Sequence, residues 1–266
     1  MPELPEVETV VRTLSPRLTG RRIDRVHLLR PDILQPRTTD LPPLLLEKTI
    51  LSISRRGKKI VFQLDTGNRF VIHLGMTGRL TLQAPHAVRQ PHTHFMLDFP
   101  QTQLRFTDPR RFGGIFWLGQ TQSPDDNLGP EPLNLRPKQL AALLSRTRRP
   151  IKSALMDQSL IAGLGNIYAD EALFHAKIHP KNLSHRLTPR QIAALCRGIK
   201  LVLRRAIRHR GSTLRDYRDA GGQPGNFQNL HRVYDRAGQP CLLCRAPITR
   251  IVLAGRSAHF CPNCQT

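Results

Sequence analysis

Apolar residues recur at helical spacing near the start of the chain. Val7, Val10, Val11, Leu14 and Leu18 fall on one stripe. Pro5 suits a first turn, and Glu6 and Glu8 suit its positive end, so a helix is predicted from Pro5 to about Leu18. From about Ile23 to Leu118 the period shortens to that of strands. Lys59–Leu64 and Arg69–Leu74 flank the turn residues Asp65-Thr66-Gly67-Asn68, which predicts a hairpin. Further strands are predicted at Arg79–Gln83, His94–Phe99, Gln103–Phe106 and Ile115–Leu118. Many short strands separated by turns indicate an antiparallel sandwich or barrel. Residues 123–137 are rich in Pro, Gly, Asp and Asn and mark a boundary. Beyond them the period is helical, with segments near 137–146, 151–159, 166–176, 188–209 and 212–218. The longest, Pro189–His209, carries a basic face of Arg190, Arg197, Lys200, Arg204, Arg205 and Arg208. A Gly-rich stretch over 220–226 breaks the pattern. The reading divides the chain into a sheet domain (1–122), a linker (123–137), a helical domain (138–232) and a cysteine-bearing tail (233–266).

Charge changes the picture more than size does. Among 266 residues, 41 Lys and Arg face 19 Asp and Glu, a net charge of +22. Self-repulsion of that size is relieved by a polyanion, nucleic acid first and an anionic membrane face second. No apolar run approaches the ~18 residues of a transmembrane helix. The acidic, proline-containing start Met1-Pro2-Glu3-Leu4-Pro5-Glu6-Val7-Glu8 lacks the order of a signal or transit peptide. An intracellular, cytoplasmic and nucleoid-associated protein is expected.

Four of the five cysteines form two pairs, Cys241-x-x-Cys244 and Cys261-x-x-Cys264, separated by sixteen residues. This spacing predicts a four-thiolate, structural zinc site, closed to water. A short tail cannot bury a core alone, so the metal supplies its folding free energy. Two redox-active pairs are the alternative. Cys196, in the long helical segment, reads as packing. Arg245, Arg250, Arg256 and His259 lie between the pairs, as a nucleic-acid-binding ribbon or a solvated face.

A set of segments in fixed order resembles the formamidopyrimidine-DNA glycosylase family. They are Pro2-Glu3-Leu4-Pro5-Glu6-Val7-Glu8-Thr9, Arg55-Arg56-Gly57-Lys58, His73-Leu74-Gly75-Met76-Thr77-Gly78 and Thr107-Asp108-Pro109-Arg110-Arg111-Phe112-Gly113. Leu128–Leu133, Ile161–Glu171 and Gly255–Gln265 follow, so the resemblance spans essentially the whole chain. It implies an α+β fold, with an N-terminal antiparallel β-sandwich flanked by helices. A helix–two-turn–helix domain and a C-terminal four-cysteine zinc finger come next. The implied activity is that of a bifunctional DNA glycosylase and abasic-site lyase of base-excision repair. It excises oxidised purines (8-oxoguanine, formamidopyrimidines) from damaged double-stranded DNA, acts as a monomer and holds one structural Zn2+.

The chemistry suits the residues at the matching positions. Pro after Met permits removal of Met1, leaving a secondary amine. An α-amino group has a reference pKa of ~7.7–8.0 against ~10.4 for lysine, so much of it carries a free lone pair near neutrality. The positive end of the following helix favours the unprotonated form, while Glu3 and Glu6 oppose it. Attack on the deoxyribose anomeric carbon gives an iminium, an electron sink for β-elimination. The resemblance gives Glu3 the role of general acid at the sugar ring oxygen. It places Lys58 beside the damaged nucleotide, in contact with phosphate, and leaves Lys59 to solvent. Arg256 grips phosphate and assists the second, δ elimination. His92, Arg110 and Asn166 are implied DNA contacts, Asn166 at a glycine turn that opens a helix. A flipped base leaves a void, and Met76, Arg110 and Phe112 match the residues that fill it. Segment 219–227 matches the loop that caps the flipped base. Thr93, the Tyr234-Asp235 pair and Ser257-Ala258 depart from the usual pattern. Two rival activities fit parts of the pattern. An endonuclease VIII-type enzyme for oxidised pyrimidines usually has Gly where Leu4 stands. A non-catalytic nucleic-acid-binding zinc protein explains the charge and cysteines but not the Pro2-Glu3 start.

Overall fold

Helix α1 (Leu4–Leu18) buries Val7, Val10, Leu14 and Leu18 completely, so the apolar stripe is the face it turns inward. The computed structural model describes residues 2–266. Strands follow as β1 (Arg25–Leu28), β2 (Leu34–Gln35), β3 (Ile50–Arg56), β4 (Lys59–Leu64), β5 (Arg69–His73), β6 (Arg79–Gln83), β7 (Thr93–Phe99), β8 (Thr102–Thr107) and β9 (Gly114–Gly119), with a short helix α2 (Leu41–Leu45) between β2 and β3. They form a four-stranded sheet in the order β1-β7-β8-β6 and a five-stranded sheet in the order β2-β9-β5-β4-β3. All pairs are antiparallel except β2 with β9. The predicted hairpin forms, with Lys59 opposite His73 and Phe62 stacked on Phe70 at 4.5 Å between ring centroids. Side chains from both sheets and the α1 stripe make one core, the sandwich arrangement.

The helical region holds α3 (Pro137–Leu144), α4 (Ile151–Met156), α5 (Asn166–Ala176) and α6 (Pro189–Arg208). Helix α6 buries Ile192, Leu195, Ile199, Val202 and Leu203 and exposes Arg190, Arg197, Arg204 and Arg208. Gly198 permits close packing on α5, since a Cβ there would stand 3.0 Å from the Ala172 carbonyl oxygen. Cys196 is buried, with its Sγ donating to the Leu135 carbonyl at 3.2 Å, in keeping with a packing role. The tail ends in the hairpin β10 (Thr249–Leu253) and β11 (Arg256–Phe260). Its two turn residues, Ala254 and Gly255, both have positive φ, as a tight hairpin requires.

Contacts divide the chain into two units: Met1–Asp126 with His209–Asn226, and Asn127–Arg208 with Phe227–Thr266. The segment 209–226, expected within the 138–232 helical domain, packs with the first unit, and 127–137 and the cysteine tail fall with the helices. The excursion is closed at its base by the Asn226 N–H donating to the His209 carbonyl at 2.9 Å. A helix over 212–218 does not form. Its backbone groups have other partners: the Ser212 N–H donates to Glu6 Oε1 at 2.7 Å, and Thr213 Oγ1 donates to the Tyr217 carbonyl at 3.0 Å. Gly211, at φ +75, sits where a Cβ would come within 2.5 Å of Glu6 Oε1.

Candidate active site

In the first unit, Pro2, Glu3 and Glu6 are all buried at the start of α1. Glu3 is the N-cap, and the Glu3 and Glu6 side chains form a reciprocal capping box, in which the Glu3 N–H donates to Glu6 Oε2 at 2.8 Å. The Glu-x-x-Glu spacing carries this signal, although in sequence Glu6 reads only as a dipole charge. Glu6 also fixes the excursion through Ser212, and the Tyr217 hydroxyl donates to the Glu6 carbonyl at 3.1 Å. Burial and the nearby Glu6 push the Tyr217 phenol far up, so it serves as a neutral donor.

Lys58 lies in the two-residue turn joining β3 to β4, with Gly57 at φ +56, and is almost fully buried. The next strand brings His73 beside it. Burial, with Lys58 and Lys59 nearby, holds the His73 imidazole below its ordinary range, which favours the neutral ring. Lys59 is not left to solvent as expected. It is half-buried, it donates to the Pro124 carbonyl at 3.1 Å, and burial pulls its ammonium down.

Met76, Arg110, Phe112 and His92 stand on three loops that one buried residue, Asp108, joins. Asp108 accepts from Thr77 Oγ1 at 2.5 Å and from the Gly113 N–H at 2.8 Å, while its own N–H donates to the His92 carbonyl at 3.0 Å. His94 Nε2 donates to the Asp108 carbonyl at 2.8 Å. A Cβ on Gly75 would stand 2.4 Å from the Gly113 nitrogen, so the 75–78 and 108–113 loops touch backbone to backbone. Phe112 is 55% exposed, and the Arg110 guanidinium lies 4.6 Å from its ring centre. In sequence Asp108 falls within a matching segment but has no role of its own; its partner Thr77 lies 31 residues back along the chain and is invisible there. The 219–225 part of the capping segment is ordered by Asp219, whose Oδ1 accepts from the Gly221 and Gln223 N–H groups, both at 2.9 Å. It joins the edge of β6 where the Leu82 N–H donates to the Ala220 carbonyl at 2.8 Å.

In the second unit, Asn166 is the first residue of α5, after Gly165 as N-cap. Its Nδ2 donates to Ser257 Oγ at 3.2 Å, and its buried Oδ1 has no partner among the described residues. Arg256 is exposed at the head of β11. Below it lies a buried ion pair, Lys152 Nζ to Asp170 Oδ1 at 2.7 Å, and Lys152 also donates to the Ser257 carbonyl. His259, grouped with the basic ribbon from sequence, is instead buried, and its N–H donates to Asp170 Oδ2 at 2.9 Å. Asp235 has φ +58, the left-handed region that suits the glycine usual at that position and that Asp tolerates.

Cys241, Cys244, Cys261 and Cys264 bring their Sγ atoms within 4.8 Å of one another. Cys241–Cys264 and Cys244–Cys261 stand at 4.0 and 3.4 Å, bracketing the ~3.8 Å edge of a tetrahedron with 2.3 Å Zn–S bonds. The backbone N–H of Ala246 draws the Cys244 thiol down to about 6, while burial drives Cys264 up to about 12. Four thiolates this close need a cation between them, and the donor set fits one structural zinc ion. Among the described residues no helix is long and apolar enough to cross a membrane.

Three family models match the chain: the formamidopyrimidine-DNA glycosylase N-terminal domain over residues 1–115, the formamidopyrimidine-DNA glycosylase H2TH domain over 128–218, and a zinc finger found in FPG and IleRS over 238–266. A formamidopyrimidine-DNA glycosylase of Solibacter usitatus is 47% identical over 100% of this chain and 99% of its own length. The Lactococcus lactis Fpg in complex with DNA containing an abasic site is 38% identical, with a TM-score of 0.93 over 99% of both chains. The MutM (Fpg) protein from Thermus thermophilus is 41% identical, with a TM-score of 0.90 over 99% of this chain and 98% of that one. This chain belongs to the formamidopyrimidine-DNA glycosylase family.

Proposed function

We propose that this DNA glycosylase excises oxidised purines from duplex DNA and then cuts the strand as an abasic-site lyase, with the Pro2 nitrogen as nucleophile. The observation that carries the reading is the burial of Pro2 and Glu3 together at the positive end of α1. After removal of Met1, the amine lone pair forms a bond to the sugar C1′, and the base leaves with the glycosidic electron pair and a proton. Glu3 protonates O4′ as the ring opens to the iminium. Loss of a C2′ proton then expels the 3′ phosphate, and a second elimination expels the 5′ phosphate. Lys58 and Arg256 hold phosphate charge during these steps. The exposed Phe112, with Arg110 on its ring, supports a wedge beside the vacated stack and hence the purine preference.

Glu3→Gln tests the acid role. Glutamine keeps an oxygen to cap α1 but has no proton to give. Binding to lesion DNA is expected to survive, while single-turnover base release falls by about 10²–10⁴, the usual worth of a general acid. Wild-type release from 8-oxoguanine duplex should also exceed release from an oxidised-pyrimidine duplex. A variant that loses binding yet keeps its single-turnover rate overturns the assignment of Glu3, and a reversed substrate order overturns the purine preference.

Asn166 and Arg256 are read as phosphate contacts. Asn166 opens α5, where the N-terminal N–H groups and the helix dipole suit an anion. Asn166→Ala should weaken all duplexes about equally and leave the salt dependence nearly unchanged, because the side chain is neutral. Arg256→Ala should lower the slope of log K against log salt by about one unit. Titrations at four salt concentrations on lesion and undamaged duplexes check both, and an Asn166→Ala loss confined to lesion DNA would count against its role.

A further inference from the structure

The turn that carries Lys58 is tied to α1 by a part-buried ion pair. Glu8, one turn beyond the buried start of the helix, accepts from two arginines. Arg12 Nε reaches Oε1 at 2.8 Å from a side chain 64% exposed, and Arg55 Nε reaches Oε2 at 2.9 Å from a side chain only 8% exposed. Arg55 does not stop at the carboxylate. Its Nη1 donates to the Gly57 carbonyl at 3.1 Å, the peptide unit that leads into Lys58. On the other side of the turn Arg56 pairs with Asp125, and Lys59 donates to the Pro124 carbonyl. Four cations in five residues repel one another, and Glu8 sets a carboxylate of α1 against them.

We propose that Glu8 and Arg55 are positioning residues for Lys58, holding the Gly57-Lys58 turn at a fixed reach from the Pro2 end of α1. The inference rests on the reading that Lys58 acts at the reacting nucleotide. A guanidinium suits the task because its planar fork makes both bonds at once, whereas a lysine is a point charge with a flexible stem. Gly57, in the left-handed region, lets the chain reverse between the paired Arg56 and Lys59. The Arg55 bond to its carbonyl ties that turn to α1.

Arg55→Lys is the informative variant, since it keeps the charge and the pairing with Glu8 but cannot also hold the Gly57 carbonyl. Single-turnover base release should fall by about 10²-fold, the cost of a misplacement near 1 Å. Affinity for lesion DNA should stay within about twofold and melting temperature close to wild type, because the buried charge remains paired. Arg12→Ala, which removes the exposed partner of the same carboxylate, should leave the rate unchanged. In a Lys58→Ala background Arg55→Lys should cost nothing further, since its effect passes through Lys58. Should Arg55→Lys fail to fold, Glu8→Gln carries the same test, with one amide oxygen left to serve both arginines and about a tenfold loss expected on the same argument. An Arg55→Lys rate within threefold of wild type, equal losses in rate and affinity, or full additivity with Lys58→Ala overturns the proposal. Wild-type activity in Lys58→Ala alone would instead overturn the underlying reading of Lys58.

Discussion

Protein that retains Met1 is expected to bind lesion-bearing duplex but to form no borohydride-reducible cross-link and to release no base above background. An acylated proline nitrogen has no lone pair to donate, so the iminium cannot form. No neighbouring amine is expected to substitute for it. A lysine ammonium starts from a pKa of ~10.4 and is almost wholly protonated near neutrality, whereas an α-amine starts at ~7.7–8.0. The α1 dipole favours the neutral amine, while Glu3 and Glu6, fixed by the capping box, favour the protonated one. Base release should therefore rise with pH as the amine loses its proton and fall again as the general acid loses its own. Trapping on 8-oxoguanine DNA, followed by mass spectrometry of the cross-linked peptide, identifies the attacking nitrogen. Full activity in protein shown to keep Met1, or a cross-link on Lys58, would remove Pro2 from the mechanism.

Much of the scaffold was legible in the sequence because its signals are local. The stripe Val7 to Leu18 gave α1 within one residue, and the 59–64 and 69–73 strands declared themselves by a four-residue turn. The zinc site was legible for the same reason, since two Cys-x-x-Cys pairs need no knowledge of the fold. What escaped depends on partners distant in the chain. The segment 212–218 has helix formers, yet Glu6, 206 residues earlier, takes its first amide, and the backbone follows that bond. Asp108 and Arg55 look like ordinary charges until the loops they join are in place. His259 reads as one more basic residue of the ribbon, but Asp170 draws it inside. Lys59 fails as a solvent-facing lysine because the Pro124 carbonyl lies within its reach.

Removing zinc is expected to abolish DNA binding while the β-sandwich stays folded. The apolar cluster around the zinc site is small: Phe174, Val233, Cys241, Ile248 and Cys261, of which two are metal ligands. Structural zinc contributes about 10–16 kcal/mol to folding in small zinc domains, far more than three apolar side chains supply. Without it, nothing bonds the two cysteine pairs to each other. The β10–β11 hairpin then loses its anchor, and Arg256 and the Ser257 hydroxyl beside Asn166 lose their fixed places. The sandwich has a separate core, built from α1 and residues such as Phe62, Phe95 and Phe106. The chain's single tryptophan, Trp117, packs against that core and reports on it alone. Chelation should therefore leave Trp117 emission and its unfolding transition near their starting values while affinity for abasic-site duplex disappears. Cys244→Ala removes one ligand without a chelator and should behave the same way. If that variant bound abasic DNA as tightly as wild type, the zinc hairpin would not be the grip on DNA, and binding would have to come from the sandwich and α5 alone.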